Sequence, residues 1–132
     1  FLAVNKAEGM VDSPLLAAGV QRWNEGMTVV AAAESTSVLC GHMVDNRGGA
    51  FTVGLGLITT FTVIARFEGW SSEKRHRTVA LAPSDMPVVG IDSATALVRR
   101  ADGTWSADGS GGVHVFRGGS PVELADLPDA LS

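Results

Sequence analysis

The sequence predicts an α/β fold that closes in a β-meander, and three observations predict it. Near the N-terminus, apolar residues recur at helical spacing and run into a short unbroken apolar stretch, 28–33 (TVVAAA). A polar turn, 34–37 (ESTS), follows at once, with a new apolar segment behind it. The last third carries short β-type runs separated by Gly and Asp turns. Helix, buried strand, turn and helix is the pattern of an α/β layer, and the closing runs read as consecutive hairpins.

Each element has a local cause. Ser13-Pro14 opens a helix, because Ser can cap free N–H groups and Pro suits the first turn. Leu15, Leu16, Gly19, Val20 and Trp23 then share one helical stripe, and Gly26 stands where the helix should stop. The stretch 28–33 is β-branched and apolar without alternation, which predicts a strand buried on both faces. Ser35 and Ser37 are placed to cap a second helix opening at Val38-Leu39-Cys40. Residues 45–49 predict a loop, 61–67 an alternating strand, and 87–91 a second short buried strand. Residues 94–99, 104–107 and 112–117 predict the meander, with turns at 101–103 and 108–111. Residues 121–132 carry little signal.

Composition narrows the function classes. A chain of 132 residues is one domain (1–132), large enough for a core of its own. Its 45% apolar content and 16 glycines describe a globular protein. The net charge is −4, and the only basic groupings are Lys74-Arg75-His76-Arg77 and Arg99-Arg100, so no nucleic-acid footprint is present. The longest apolar stretch, 53–65, is broken by Gly and Thr and predicts no membrane span. Cys40 is alone, so an intrachain disulfide is impossible and a reducing, cytoplasmic setting is the plain expectation. Phe1 runs into Lys6 and Glu8 without a long apolar stretch, so no signal peptide is visible, and a start at Phe points to a processed or incomplete chain.

Two segments carry a family resemblance: 47–57 (RGGAFTVGLGL), preceded by Met43–Asn46, and 90–105 (GIDSATALVRRADGTW). With Gly112-Val113-His114-Val115 they form an ordered series. From about Asp12 to Leu124 the chain resembles the C-terminal part of the cyanophycinase and dipeptidase E family of serine peptidases. The resemblance implies a class I glutamine amidotransferase-like fold, a mostly parallel sheet between helices with the nucleophile on a strand-to-helix elbow. The family's N-terminal half has no counterpart in this sequence. Half of a three-layer domain leaves a sheet edge and apolar faces that need cover, which predicts a homo- or hetero-oligomer.

The catalytic residues of such a site are poorly matched. An elbow places Ser on a strained turn with small residues two positions to either side. With Ser35 as nucleophile those neighbours are Ala33 and Ser37. An ungapped alignment anchored on Gly26 and Leu39-Cys40 instead puts Ala33 at the nucleophile position. The family's histidine would fall close to 65–67, where Arg66 stands, and arginine is no general base near neutral pH. The candidate bases are then His42, beside the elbow helix, and His76, crowded by Lys74, Arg75 and Arg77. His114 alternates with two valines and faces away from them.

Other chemistries lack their residues. Gly54-Leu55-Gly56 is not followed by the Lys-Ser or Lys-Thr of a phosphate loop, and no Cys/His cluster has metal-ligand spacing, so no cofactor or metal is called for. Glu68, Glu73, Asp85 and Asp92 are scattered singly and read as turn or surface residues, with Glu34 the one carboxylate beside the elbow. Trp23, Trp70 and Trp105 read as core or rim packing. The leading expectation is a catalytically degenerate peptidase-like domain that acts by binding, with a peptide as possible ligand or a subunit as partner. The alternatives are a divergent serine hydrolase of peptides using Ser35, and a small β-rich pocket protein.

Overall fold

The computed structural model describes residues 13–132. The expectation about a signal peptide, read from residues 1–8, lies outside that span.

Pro14 opens the first helix, α1 (Pro14–Asn24), and Gly26 ends it with φ 91, as the sequence predicts. Ser13 precedes it in extended backbone, although its side chain caps nothing. No residue of α1 is buried, and Leu15 is 83% exposed. Residues 28–33 correct the first strand prediction: they form no ladder, and Val30 is 90% exposed. An apolar β-branched run needs neighbouring strands to pair with, and none lies beside it among the described residues. The second helix is the single turn α2 (Ser35–Val38); it opens three residues before Val38 and ends there, because Cys40 bridges to Ile58.

The other strands are β1 (His42–Val44), β2 (Phe51–Val53), β3 (Thr62–Ala65), β4 (Val88–Ile91), β5 (Thr95–Arg99), β6 (Trp105–Gly109), β7 (Val113–Arg117) and β8 (Ser120–Val122). A helix, α3 (Ser72–Leu81), joins β3 to β4, capped by the Ser71 hydroxyl, which accepts from Lys74 N–H at 3.2 Å. The largest sheet has the order β3-β4-β7-β8. Only β3 and β4 are parallel; the other four strand pairs are antiparallel, which corrects the mostly parallel sheet. The reason is local. Only the β3–β4 connection contains a helix long enough to carry the chain back to the start of the next strand. The short turns at 101–104 and 118–119 reverse it instead.

The closing meander is corrected as well. β5 and β6 pair as a separate two-stranded hairpin, while β7 leaves them and runs antiparallel to β4, Val115 opposite Val89. Burial selects this partner. On one sheet face Val63, Val89 and Val115 join Phe61, Cys40 and Leu127, with Trp105 of the hairpin packed against them. On the other face Ile64 and Val88 join Val44, Phe67 and Val79 of α3. The sheet thus has a helix on one face and the β5–β6 hairpin with the C-terminal segment on the other. β3 does not alternate in burial as predicted; all four of its residues are buried because both faces are covered.

Two glycines make the close approaches possible. A Cβ on Gly90 would collide with the Phe67 ring, and one on Gly49 would collide with the Thr78 hydroxyl. Gly90→Ala should therefore destabilise the protein by about 1–3 kcal/mol, the usual cost of overpacking. Urea unfolding would register it as a lower midpoint at unchanged slope.

Candidate functional site

In open α/β sheets, ligands bind beyond the carboxyl ends of the parallel strands. Here those ends are Ala65 of β3 and Ile91 of β4. Beyond Ala65 the chain turns sharply at Arg66, whose φ of 51 lies in the left-handed region, and drops Phe67 into the core at 2% exposure. A 3-10 turn, Phe67–Gly69, follows and carries Glu68 and Trp70 to the surface. Beyond Ile91 come Asp92 and Ser93.

Side chains bridge these ends. Ser93 donates both its N–H (3.0 Å) and its hydroxyl to the Glu68 carboxylate, which is held below its ordinary pKa by those two bonds. Asp92 Oδ2 accepts from Gly112 N–H at 3.0 Å and lies 3.1 Å from His114 Nε2. Burial pushes Asp92 up, but His114 and the Gly112 N–H outweigh it and leave the carboxyl below its usual value. Glu68, exposed in its turn as the sequence predicts, is thus linked through Ser93 to the segment that carries Asp92.

The elbow region meets the same edge. Residues 27–32 lead to Ala33, whose φ of 51 gives the sharp left-handed step before α2. The left-handed residue is Ala33, not Ser35. The Ser35 hydroxyl accepts from Ala32 N–H at 3.0 Å and donates to Ala32 O, so it bonds backwards and does not cap α2. Ser37 is buried and donates to Val63 O at 3.0 Å, tying α2 to β3. Glu34, between Ala33 and Ser35, forms an ion pair with Arg66. Such a pair is worth little to the fold, about 0–1 kcal/mol, because Arg66 is 65% exposed.

Beside this pair a crevice of about 290 Å³ is lined by Asn46, Ala65, Arg66, Glu68, Gly69 and Trp70. Helix α3 supports its wall by spreading the basic cluster around the helix. Lys74 lies 3.6 Å from the Trp70 ring centre and donates to Asn46 O; Arg75 covers the Phe67 ring and donates to Glu68 O at 2.7 Å. Arg77 donates to Gly48 O at 3.0 Å, and Arg47 grips Asp45 with two side-chain bonds, which hold that carboxyl below its ordinary pKa.

The candidate bases stand apart from this edge's hydrogen bonds. His42 is exposed on β1 and His76 is exposed on α3. Among the described residues no hydrogen bond joins Ser35 to an imidazole. Among the described residues the imidazole bonded at the edge is that of His114, with its ring centre 5.3 Å from that of Phe67. Cys40 is fully buried, and burial pushes its thiol up to about 11, so it is no nucleophile at neutral pH. Among the described residues no group of three or more His, Cys, Asp or Glu could hold a metal, and no helix is long and apolar enough to cross a membrane.

Sequence reasoning singled out Arg66 and Glu34 but missed Asn46, Trp70 and Ser93. Trp70 was legible only as packing, and Asn46 sits in a segment recognisable as a loop but not as a wall.

A solved crystal structure of a peptidase from an acI-B1 Actinobacterium is similar to this chain, with a TM-score of 0.70 and 27% identity. The chain has a peptidase-like fold. The match covers 85% of this chain and 48% of that one, so the chain spans about half of that peptidase's length. No protein-family model and no curated protein matches the chain.

The Asp92 geometry predicts a pH dependence. A carboxyl with a depressed folded-state pKa stabilises the fold above its unfolded value, about 3.9, and loses that contribution as pH falls through the folded value. Asp92→Asn should therefore lower the melting temperature at neutral pH, and the gap from the wild type should close in acid below about pH 4. A gap that widens in acid would reverse the sign and refute the assignment.

Proposed function

We propose that this chain is a catalytically silent, peptidase-like binding domain of the cyanophycinase and dipeptidase E kind, with the class I glutamine amidotransferase-like arrangement. The ordered series from 47–57 to 90–105 supports that kinship. The observation that carries silence is the Glu34–Arg66 ion pair beside Ala33. Ala33 has a left-handed backbone but no hydroxyl, and Arg66 falls close to where the resemblance would put the family's histidine. Without a base a serine hydroxyl is a poor nucleophile, and losing a triad member costs several orders of magnitude in rate.

Binding to another polypeptide is the role this surface supports. Helix α1 buries no residue, Val30 is 90% exposed, and the apolar run 28–33 has no strand partner among the described residues. A covering subunit would satisfy all three features.

The test is labelling with a serine-reactive fluorophosphonate, read by mass spectrometry of intact chain and peptides. A silent site labels Ser35 no faster than a surface serine such as Ser132. Rapid labelling of Ser35, lost in His42→Ala or His76→Ala, would establish the divergent serine hydrolase instead. Light scattering at micromolar concentration tests the partner role in parallel: an oligomer is expected, and a monomer counts against self-association.

A further inference from the structure

We infer that the face between the large sheet and the β5–β6 hairpin is a peptide-recognition groove. The chain fills it with its own residues 124–131, and a peptide of the pattern Leu-x-x-Leu-Pro-x-x-Leu can take their place. This surface uses neither α1 nor the run 28–33, and it does not depend on the silence of the strand edge.

The way the segment is held carries the inference. No residue of 124–132 joins a strand, so no ladder fixes it. Its carbonyls are gripped instead, mostly by side chains. Trp105 Nε1 donates to Pro128 O at 3.0 Å, Arg99 Nε to Asp129 O at 3.1 Å, and Thr60 Oγ1 to Ala130 O at 2.8 Å. Thr59 N–H donates to Leu131 O at 2.7 Å, so consecutive carbonyls from 128 to 131 are all taken. Arg117 Nη2 adds Asp126 O at 3.0 Å. Indole and guanidinium N–H groups donate and never accept, so this wall reads a carbonyl whatever residue carries it, proline included.

Sequence enters through the leucines. Leu127 is buried at 4% exposure, and Leu124 and Leu131 pack against the same cluster, while Ala125, Asp129 and Ala130 are exposed. Leu127 has φ −67 and ψ 141, close to polyproline II, which the residue before a proline favours. Grooves lined by aromatic rings take proline-containing segments in that conformation, because little entropy remains to be lost. The wall is also built without the segment's help: the Trp105 ring stands edge-on to Phe61, with centres 5.4 Å apart at 84°.

The experiment uses the full chain with ¹³C-labelled leucine methyls and an unlabelled peptide of the sequence Glu123–Ser132. A segment on a short tether competes at an effective concentration on the order of millimolar. The peptide makes the same contacts, so in that range it should move the methyls of Leu124, Leu127 and Leu131 to free-chain positions. The same peptide carrying Leu127→Ala should leave them in place. Leu127→Ala in the chain weakens the resident segment, so the wild-type peptide should then bind at about tenfold lower concentration or less. Should that variant not fold, the two peptides on the wild-type chain decide the matter. Methyls unmoved by about 10 mM wild-type peptide, or moved equally by both peptides, would overturn the groove. Labelling of Ser35 by fluorophosphonate would end the silent-domain reading alone and leave a measured displacement standing.

Discussion

The seating of Phe67 against Gly90 is the constraint on which the rest of this edge depends. Gly90 leaves a hole in β4 just where β3 ends beside it, and the Phe67 ring fills that hole. To reach it the chain must turn within one residue of Ala65, and Arg66 takes the left-handed conformation that makes this possible. A left-handed non-glycine residue costs about 1–3 kcal/mol, which burial of a phenylalanine side chain, about 1.5–3 kcal/mol, can offset. The consequence is directional. With Phe67 pointing inwards, Arg66 and Glu68 on either side face outwards, one to Glu34 and the other to Ser93.

That arrangement shows how the backbone of a peptidase-like scaffold can be held independently of the side chains at its edge. The turn at Ala33 and the turn at Arg66 are backbone features held by packing: Ser37 bonds to Val63, and Phe67 sits on Gly90. Neither depends on the identity of the side chain that the turn presents. Fold and reaction can then part company, since the site is grafted onto the scaffold and does not build it.

How much of this was legible in the sequence depends on where the cause lies. Helix α1 was legible because Pro14 and Gly26 act locally. The strands at 62–65 and 88–91 were legible, the first as an alternating run and the second as a short apolar one, but their parallel pairing was not, since it depends on α3 carrying the chain back. Helix α3 itself was hidden by its charges: Glu73, Lys74, Arg75, His76 and Arg77 read as a basic cluster because the helix has few buried residues, chiefly Thr78 and Val79. Residues 28–33 misled for the opposite reason, carrying strand propensity with no ladder to join. At the site, Ala33 and Arg66 were visible only as positions where the resembled motif is not met. The Glu34–Arg66 contact spans 32 residues, and the Asn46–Trp70 wall is closed only by Lys74 from α3. Such convergence has no local signature.

The central claim is that the edge carrying Ala33 and Arg66 performs no peptide hydrolysis. Its most direct measurement is mass spectrometry of a mixed peptide library incubated with the chain and, in parallel, with its Ser35→Ala variant. A silent site gives identical product spectra for both, indistinguishable from buffer. Cleavage products made by the wild type and absent with Ser35→Ala would contradict the claim.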